Sequence, residues 1–130
     1  IMGEGGTSFA APRMTGVLAI LNQAYKRKNT TEAPSQLLKA VLINTADDVA
    51  APGLDYQTGY GKVNVKRAFE TIQDNRIITS TISTGGTRTH TITVPANTLQ
   101  LRVSIVWADY PAAVNASRSL VNDLNMTVTS

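Results

Sequence analysis

The sequence predicts an α+β fold, with helices in its first part and an antiparallel β segment in its second. Apolar residues recur at helical spacing up to about residue 75 and alternate with polar residues after it. Serine and threonine also become denser there, with nine in residues 1–75 and sixteen in the shorter stretch 76–130. We therefore expect two units, 1–75 and 76–130.

The first helix is expected from Ser8 to about Tyr25, because apolar residues occupy nearly every face of that stretch. A helix that is apolar all round is normally buried inside a larger protein. Thr7 is placed to cap its start, and Pro12 lies near the first turn, where proline is tolerated.

Two shorter helices are expected next. The second runs from about Pro34 to Ala46, with proline at its favoured first position. A loop over residues 47–61 follows. The third helix begins after Asn64, a good N-cap residue, and continues to about Asp74.

Four alternating segments predict β-strands after residue 75, and they cover residues 78–82, 89–94, 99–105 and 120–128. Turn sequences at 85–86 and 95–97 separate the first three. The alternation predicts an antiparallel sheet with one apolar face. The residues expected to point inward are Ile82, Ile92, Val94, Leu101, Val103 and Ile105.

Composition excludes several classes of protein. The chain has no cysteine, which rules out disulfides, thiolate zinc sites and a cysteine nucleophile. No apolar run reaches the roughly 18 residues of a membrane span. The net charge is +3, and the one basic cluster, residues 26–28, has no interleaved aromatic residues, so no nucleic-acid partner is expected.

The stretch most suggestive of chemistry is residues 5–12, GGTSFAAP. Its glycines allow close approach of the backbone, and Ser8 then lies in the first turn of a helix. The helix N-terminus gives the Ser8 hydroxyl an electropositive setting, and the Ser8 N–H is free to bind an oxyanion. Spacing alone leaves three interpretations open: a helix cap, a nucleophile or an anion-binding loop.

Residues 6–12, GTSFAAP, resemble the serine signature of the subtilisin-like serine proteases (subtilases), usually Gly-Thr-Ser-Met-Ala-x-Pro, with Phe9 in the methionine position. Residues 37–46, LLKAVLINTA, are similar to the family's next helix. Residues 59–64, GYGKVN, with Ala68 four residues later, resemble the segment that closes the catalytic domain.

The resemblance implies that Ser8 is the nucleophile of a secreted or cell-surface endopeptidase acting on proteins or peptides, with no cofactor required. In the family, the catalytic Asp, the catalytic His and the oxyanion Asn precede the serine. We therefore expect a C-terminal part of a subtilase catalytic domain, inactive by itself. His90, the only histidine, follows Ser8 in an alternating segment and is expected at the surface.

Residues 76–130 resemble the start of the β-sandwich or jelly-roll domain that follows the catalytic domain in some subtilases. The segments 106–111, VWADYP, and 120–129, LVNDLNMTVT, carry this resemblance. Asp109, Asn122 and Asp123 have oxygen ligands of the kind that calcium prefers, so they are candidate ligands for an optional calcium ion. The alternative function is a non-catalytic β-sandwich interaction module or a calcium-stabilised module.

Association is the last expectation. The first helix is apolar on most faces, and strand edges without partners tend to pair with another chain. We expect the chain to form a homo-oligomer.

Overall fold

The computed structural model describes residues 6–129 and contains three helices in that range. Helix α1 spans Thr7–Asn29, α2 spans Ser35–Thr45 and α3 spans Val65–Gln73. All three predicted helices are confirmed, and α1 continues about one turn further than expected. None of the helices in the described range is long and apolar enough to cross a membrane.

The hydrophobic core lies where the three helices meet. Leu21 of α1, Leu37 and Val41 of α2, and Ala68 and Ile72 of α3 form one buried cluster. Leu21 and Ile72 are fully enclosed. The core therefore holds the second half of α1 and leaves residues 6–13 exposed, so burial of α1 on most faces is not seen.

The helix starts follow the capping rules at one end and depart from them at another. Asn64 caps α3, because its side chain accepts a hydrogen bond from the Arg67 N–H at 3.0 Å. At α1 the N-cap is Gly6, whose carbonyl accepts from the N–H groups of Phe9 and Ala10. The predicted Thr7 cap is wrong, because the helix starts one residue earlier and Thr7 is its first helical residue.

The loop between α2 and α3 is closed at its base by a backbone pair. Asp47 and Lys62 exchange two N–H to carbonyl hydrogen bonds of 2.8 Å each. The Asp47 carboxylate also accepts from the Asn64 side chain at 3.0 Å and pairs with Arg67 at 2.8 Å. The end of α2 is thereby joined to the start of α3.

The predicted β-sandwich is wrong for the described residues, and so is the α+β fold class. Residues 76–129 form turns and irregular chain, with no β-strand assigned. The six residues expected to point inward are between 40% and 49% exposed. The observed architecture is a three-helix segment followed by an irregular region.

The physical reason lies in the hydrogen bonds of this region. The turns form where the sequence placed them, since the Gly86 N–H donates to Ser83 at 2.9 Å and the Thr98 N–H donates to Pro95 at 3.3 Å. The arms between these turns show no ladder of backbone hydrogen bonds within the described range. Alternation is a local pattern, whereas a sheet also needs a neighbouring strand to take up its N–H and carbonyl groups.

Candidate active site

Ser8 is the second residue of α1 and is exposed. The first N–H groups of a helix have no acceptor within the helix, and they carry the positive end of its dipole. The first turn of α1 contains no acidic side chain that would offset this charge. The Ser8 hydroxyl therefore lies in an electropositive, solvent-accessible position, which favours an anion or a developing negative charge.

The glycine before this turn has a backbone conformation that side chains disfavour. Gly6 has φ 154° and ψ 163°, which places it outside the regions that non-glycine residues readily adopt. The chain thus enters α1 through a position that favours glycine by its backbone angles, although no other group lies within 4 Å of a Cβ placed there.

The opposite end of α1 is firmly held. Leu21 and Ala24 are buried in the helix core, and the Lys28 ammonium donates to the Gln73 carbonyl at the end of α3 at 2.5 Å. Asn22 and Lys26 both donate to the Glu32 carboxylate. The bond from Lys26, followed by that from Asn22, lowers the pKa of Glu32 below its ordinary value.

This anchoring fixes the direction of the serine turn. Ser8 and Leu21 are thirteen residues apart in one helix, a rise of about 20 Å. The C-terminal half of α1 is packed in the helix core, and Ser8 lies exposed at its N-terminal end.

An apolar cavity lies between α1, α2 and the end of the loop that connects α2 to α3. Its volume is about 210 Å³. Its lining residues are Met14, Leu42, Ile43, Ala46, Tyr60, Gly61 and Val63. Met14 lies six residues beyond Ser8, so the cavity flanks the middle of α1 rather than the serine itself.

No base reaches Ser8 within residues 6–129, where its hydroxyl makes no hydrogen bond to another residue. His90 is exposed in the second region, as expected. Within the described residues, Ser8 thus lies at a helix N-terminus without a hydrogen-bonded base.

Comparison with known proteins shows which family the segment around Ser8 resembles. The sequence profile of the subtilase family matches residues 1–61, which include the serine turn, α2 and most of the connecting loop. The match covers 61 of the 130 residues, and it supports a subtilase fragment in this part of the chain. The predicted family is therefore confirmed, while the accessory β domain is not.

Several curated relatives align with about half of the chain. The extracellular serine protease of Serratia marcescens is 37% identical over 66 residues, which is 51% of this chain and 6% of that protein. Fervidolysin of Fervidobacterium pennivorans is 43% identical over 65 residues, 50% of this chain and 9% of the relative.

A third relative is the Neisserial autotransporter lipoprotein NalP of Neisseria meningitidis serogroup B, strain MC58, 36% identical over 64 residues. That alignment covers 49% of this chain and 5% of the relative. The chain thus spans less than a tenth of the length of these relatives. No solved structure matches the chain.

The subtilase motifs have distinct places in the fold. The serine signature forms the first turn of α1, residues 37–46 form most of α2, and Asn64 caps α3. Gly61 of the closing motif has φ 97°, and a Cβ there would overlap the Asp47 carbonyl oxygen. Glycine is therefore required at position 61, because its backbone closely approaches that of Asp47.

The structure brings two of the three candidate calcium ligands together and places the third apart from them. Asp109 and Asn122 come together, but the Asp109 oxygens accept from the Asn122 N–H and side-chain amide at 3.0 and 2.7 Å and from the Val121 N–H at 2.7 Å. Asp123 instead lies 3.9 Å from Arg118. Nowhere between residues 6 and 129 do three His, Asp or Glu side chains gather as metal ligands would.

The electrostatics of Asp109 agree with this arrangement. Partial burial raises the pKa of its carboxyl, but the hydrogen bonds from Val121, Asn122 and Tyr110 outweigh that effect and lower the pKa below its ordinary value. The carboxylate joins two stretches of the second region by accepting N–H donors.

Sequence reasoning missed one polar contact between the two regions. The Arg102 guanidinium donates to the carbonyls of Asn44 and Ala46, and the Asn44 side chain donates to the Arg102 carbonyl. These residues are nearly 60 positions apart, and no local pattern in either segment signals the contact.

Proposed function

We propose that this chain supplies the serine-bearing part of a subtilisin-like serine endopeptidase, with Ser8 as the nucleophile. The observation that carries the proposal is the position of Ser8, which lies exposed in the first turn of α1 within the segment that matches the subtilase family. Serine is a weak nucleophile alone, and it needs a base within hydrogen-bond reach.

The helix N-terminus suits the negative charge that develops during acyl transfer. As the Ser8 Oγ attacks a peptide carbonyl carbon, its proton passes to a base and the carbonyl oxygen becomes an oxyanion. The Ser8 N–H serves as one donor to that oxyanion. Collapse breaks the C–N bond, the amine leaves with the proton, and water then hydrolyses the acyl-serine ester.

The base, its orienting carboxylate and a second oxyanion donor come from outside this chain in the proposal. The chain has one histidine, His90, and it lies exposed in the second region. We therefore expect the 130 residues alone to lack peptidase activity. A longer polypeptide that also carries the family's Asp, His and Asn segments is expected to be active.

Proteins or peptides are the proposed substrates, and a secreted or cell-surface location is proposed. Two relatives support the location by name, since one is an extracellular serine protease and another an autotransporter lipoprotein. No cofactor enters the proposed reaction.

The proposal is tested by hydrolysis of an unstructured protein substrate by such a longer polypeptide. Ser8→Ala is expected to reduce the rate to background, because it removes the attacking oxygen. Ser35→Ala is the matched control, since Ser35 is also a serine in the first turn of a helix, α2. It is expected to keep the original rate.

Circular dichroism of both variants checks that the helices remain. Full activity in a folded Ser8→Ala variant would contradict the proposal. Equal loss in both variants would contradict it as well, because the effect would then belong to helix starts in general.

A further inference from the structure

The three helices differ in how their C-terminal carbonyl groups are satisfied. The last carbonyls of a helix have no partner within it, and they carry the negative end of the dipole. Helix α1 ends in Thr30, which has the left-handed conformation and donates its N–H to Lys26 at 2.8 Å, and its last turn is basic. In α3, Asp74 donates to Glu70 and Lys28 donates to Gln73.

Helix α2 has neither a left-handed C-cap residue nor a basic residue at its own C-terminus. Its C-cap, Ala46, is extended, with φ −58° and ψ 142°, and no basic residue lies in its last turn. The only polar side chain there that bonds back into the helix is Thr45, whose hydroxyl donates to Val41. The carbonyls at the very end of α2 need a donor from another part of the chain.

That donor is Arg102 of the second region. One of its guanidinium nitrogens donates to the Asn44 carbonyl at 3.1 Å and to the Ala46 carbonyl at 2.8 Å. A positive charge at the C-terminus of a helix is also favoured by the dipole. We propose that the Arg102 side chain, from the second region, caps the C-terminal carbonyls of α2, and that this contact docks the second region on the segment that matches the subtilase family.

The contact is reciprocal, which distinguishes it from a chance surface bond. The Asn44 side-chain amide donates to the Arg102 carbonyl at 3.1 Å and to the Ser104 hydroxyl at 3.0 Å. Four hydrogen bonds thus join two short stretches, residues 44–46 and 102–104. Asn44 and Ser104 are both partly buried, whereas Arg102 is exposed.

The capped carbonyls lie next to the junction of α2 and α3. Ala46 precedes Asp47, which exchanges two backbone hydrogen bonds with Lys62 and binds Asn64 and Arg67 through its carboxylate. A loose end of α2 would carry Asp47 away from these partners. Arg102 therefore stabilises the closed base of the 47–61 loop, whether or not Ser8 is a nucleophile.

Amide hydrogen exchange of the 130-residue chain tests the cap at residue level. In Arg102→Ala, exchange of the Asp47 and Lys62 amides is expected to accelerate about tenfold, because the bonds that hold the end of α2 are lost. The amides of Leu21 and Ile72 in the helix core are expected to change much less.

Arg88→Ala is the matched control. Arg88 lies in the same region, but its guanidinium donates to the Thr81 carbonyl at 3.1 Å within that region. Its removal is expected to leave Asp47 and Lys62 unchanged. Arg102→Lys is expected to fall between wild type and Arg102→Ala, because lysine lacks the planar array of donors.

Equal exchange at Asp47 in the Arg102→Ala and Arg88→Ala variants would overturn the proposal. If Arg102→Ala does not fold, Arg102→Lys decides by the same comparison. Acceleration confined to Asp47 and Lys62 supports the cap, and equal acceleration at Leu21 and Ile72 contradicts it.

Discussion

The helical segment, residues 6–75, and the second region, residues 76–129, have similar apolar residues but opposite packing. Every buried residue of the described chain lies between Leu21 and Ile72. In the second region, the six residues expected to point inward remain 40% exposed or more. The difference teaches that an apolar pattern becomes a core only when the backbone hydrogen bonds can be completed nearby.

The two regions complete those bonds in different ways. A helix pairs each N–H with a carbonyl four residues earlier, so α1 to α3 form from local sequence and then pack through one face each. A strand needs a partner that can be far away in sequence. The second region makes its local turns and a polar contact to α2. The stretches between its turns form no ladder of backbone hydrogen bonds within the described range.

The total surface reflects the same contrast. The chain exposes 10751 Å², whereas a compact monomer of 13.9 kDa exposes about 6,700 Å². The excess is far more than the roughly 800 Å² that each partner buries in a standard interface. The chain has surface available for further packing.

Association is the prediction with the largest expected effect, at least a doubling of mass. We expect the 130-residue chain to form a homo-oligomer at micromolar concentration, because large exposed apolar patches usually end in an interface. Analytical ultracentrifugation checks this. A single species of 13.9 kDa would contradict it and would show that the second region buries its apolar residues against the chain itself.

Matched isoleucines test the contrast in packing directly. Ile72 is 1% exposed and Ile92 is 49% exposed. Ile72→Ala is expected to lower the free energy of unfolding by about 2–5 kcal/mol, since it opens a cavity in the helix core. Ile92→Ala is expected to cost less than about 1 kcal/mol.

Urea unfolding followed by circular dichroism measures both variants under the same conditions. Similar losses for the two would break the comparison, because they would place Ile92 in a core as tight as that of the helices.

Two glycines with nearly the same φ test whether close backbone packing stabilises the helical segment. Gly61 and Gly53 have nearly the same φ, 97° and 96°, but a Cβ at Gly61 would overlap the Asp47 carbonyl, whereas nothing lies within 4 Å of one at Gly53. Gly61→Ala is expected to cost about 1–3 kcal/mol more than Gly53→Ala, because only the former adds a steric clash. Equal losses in thermal unfolding would show that the backbone angle alone matters.

Acid is expected to have the smallest effect, and one carboxylate from each region serves to test it. The Thr58 N–H, then the Thr58 hydroxyl and the Gln57 N–H, lower the pKa of Asp55. The pKa of Asp109 is also lowered, by bonds from Val121 and Asn122 that outweigh its burial. A lowered folded pKa contributes stability above the unfolded value of about 3.9, and that contribution is lost as pH falls through the folded pKa.

NMR titration of the two carboxyl groups checks these signs. Both midpoints are expected below about 3.9. A midpoint above that value for Asp109 would indicate that its bonds to residues 121–122 are absent in solution.

The sequence predicted the helical segment well because its signals are local. Asn64 was recognised as a cap and occupies that position, and the serine motif lies at the start of α1 as expected. The strands predicted in the second region are wrong. Alternation at residues such as Val94 and Val103 indicates a preference for β-structure, but it does not identify the partner strand. The contact between Arg102 and Asn44 was not predicted either, because no local pattern identifies a partner so far away in the sequence.

Active-site labelling tests the central claim, that Ser8 is the nucleophile of a serine peptidase. A fluorophosphonate probe reacts with an activated serine, and mass spectrometry locates the modified residue. In a longer polypeptide that carries the family's Asp, His and Asn segments, we expect modification at Ser8, and we expect none in the 130-residue chain alone. Modification at a different serine, or equal labelling of Ser8 in the chain alone, would contradict the account.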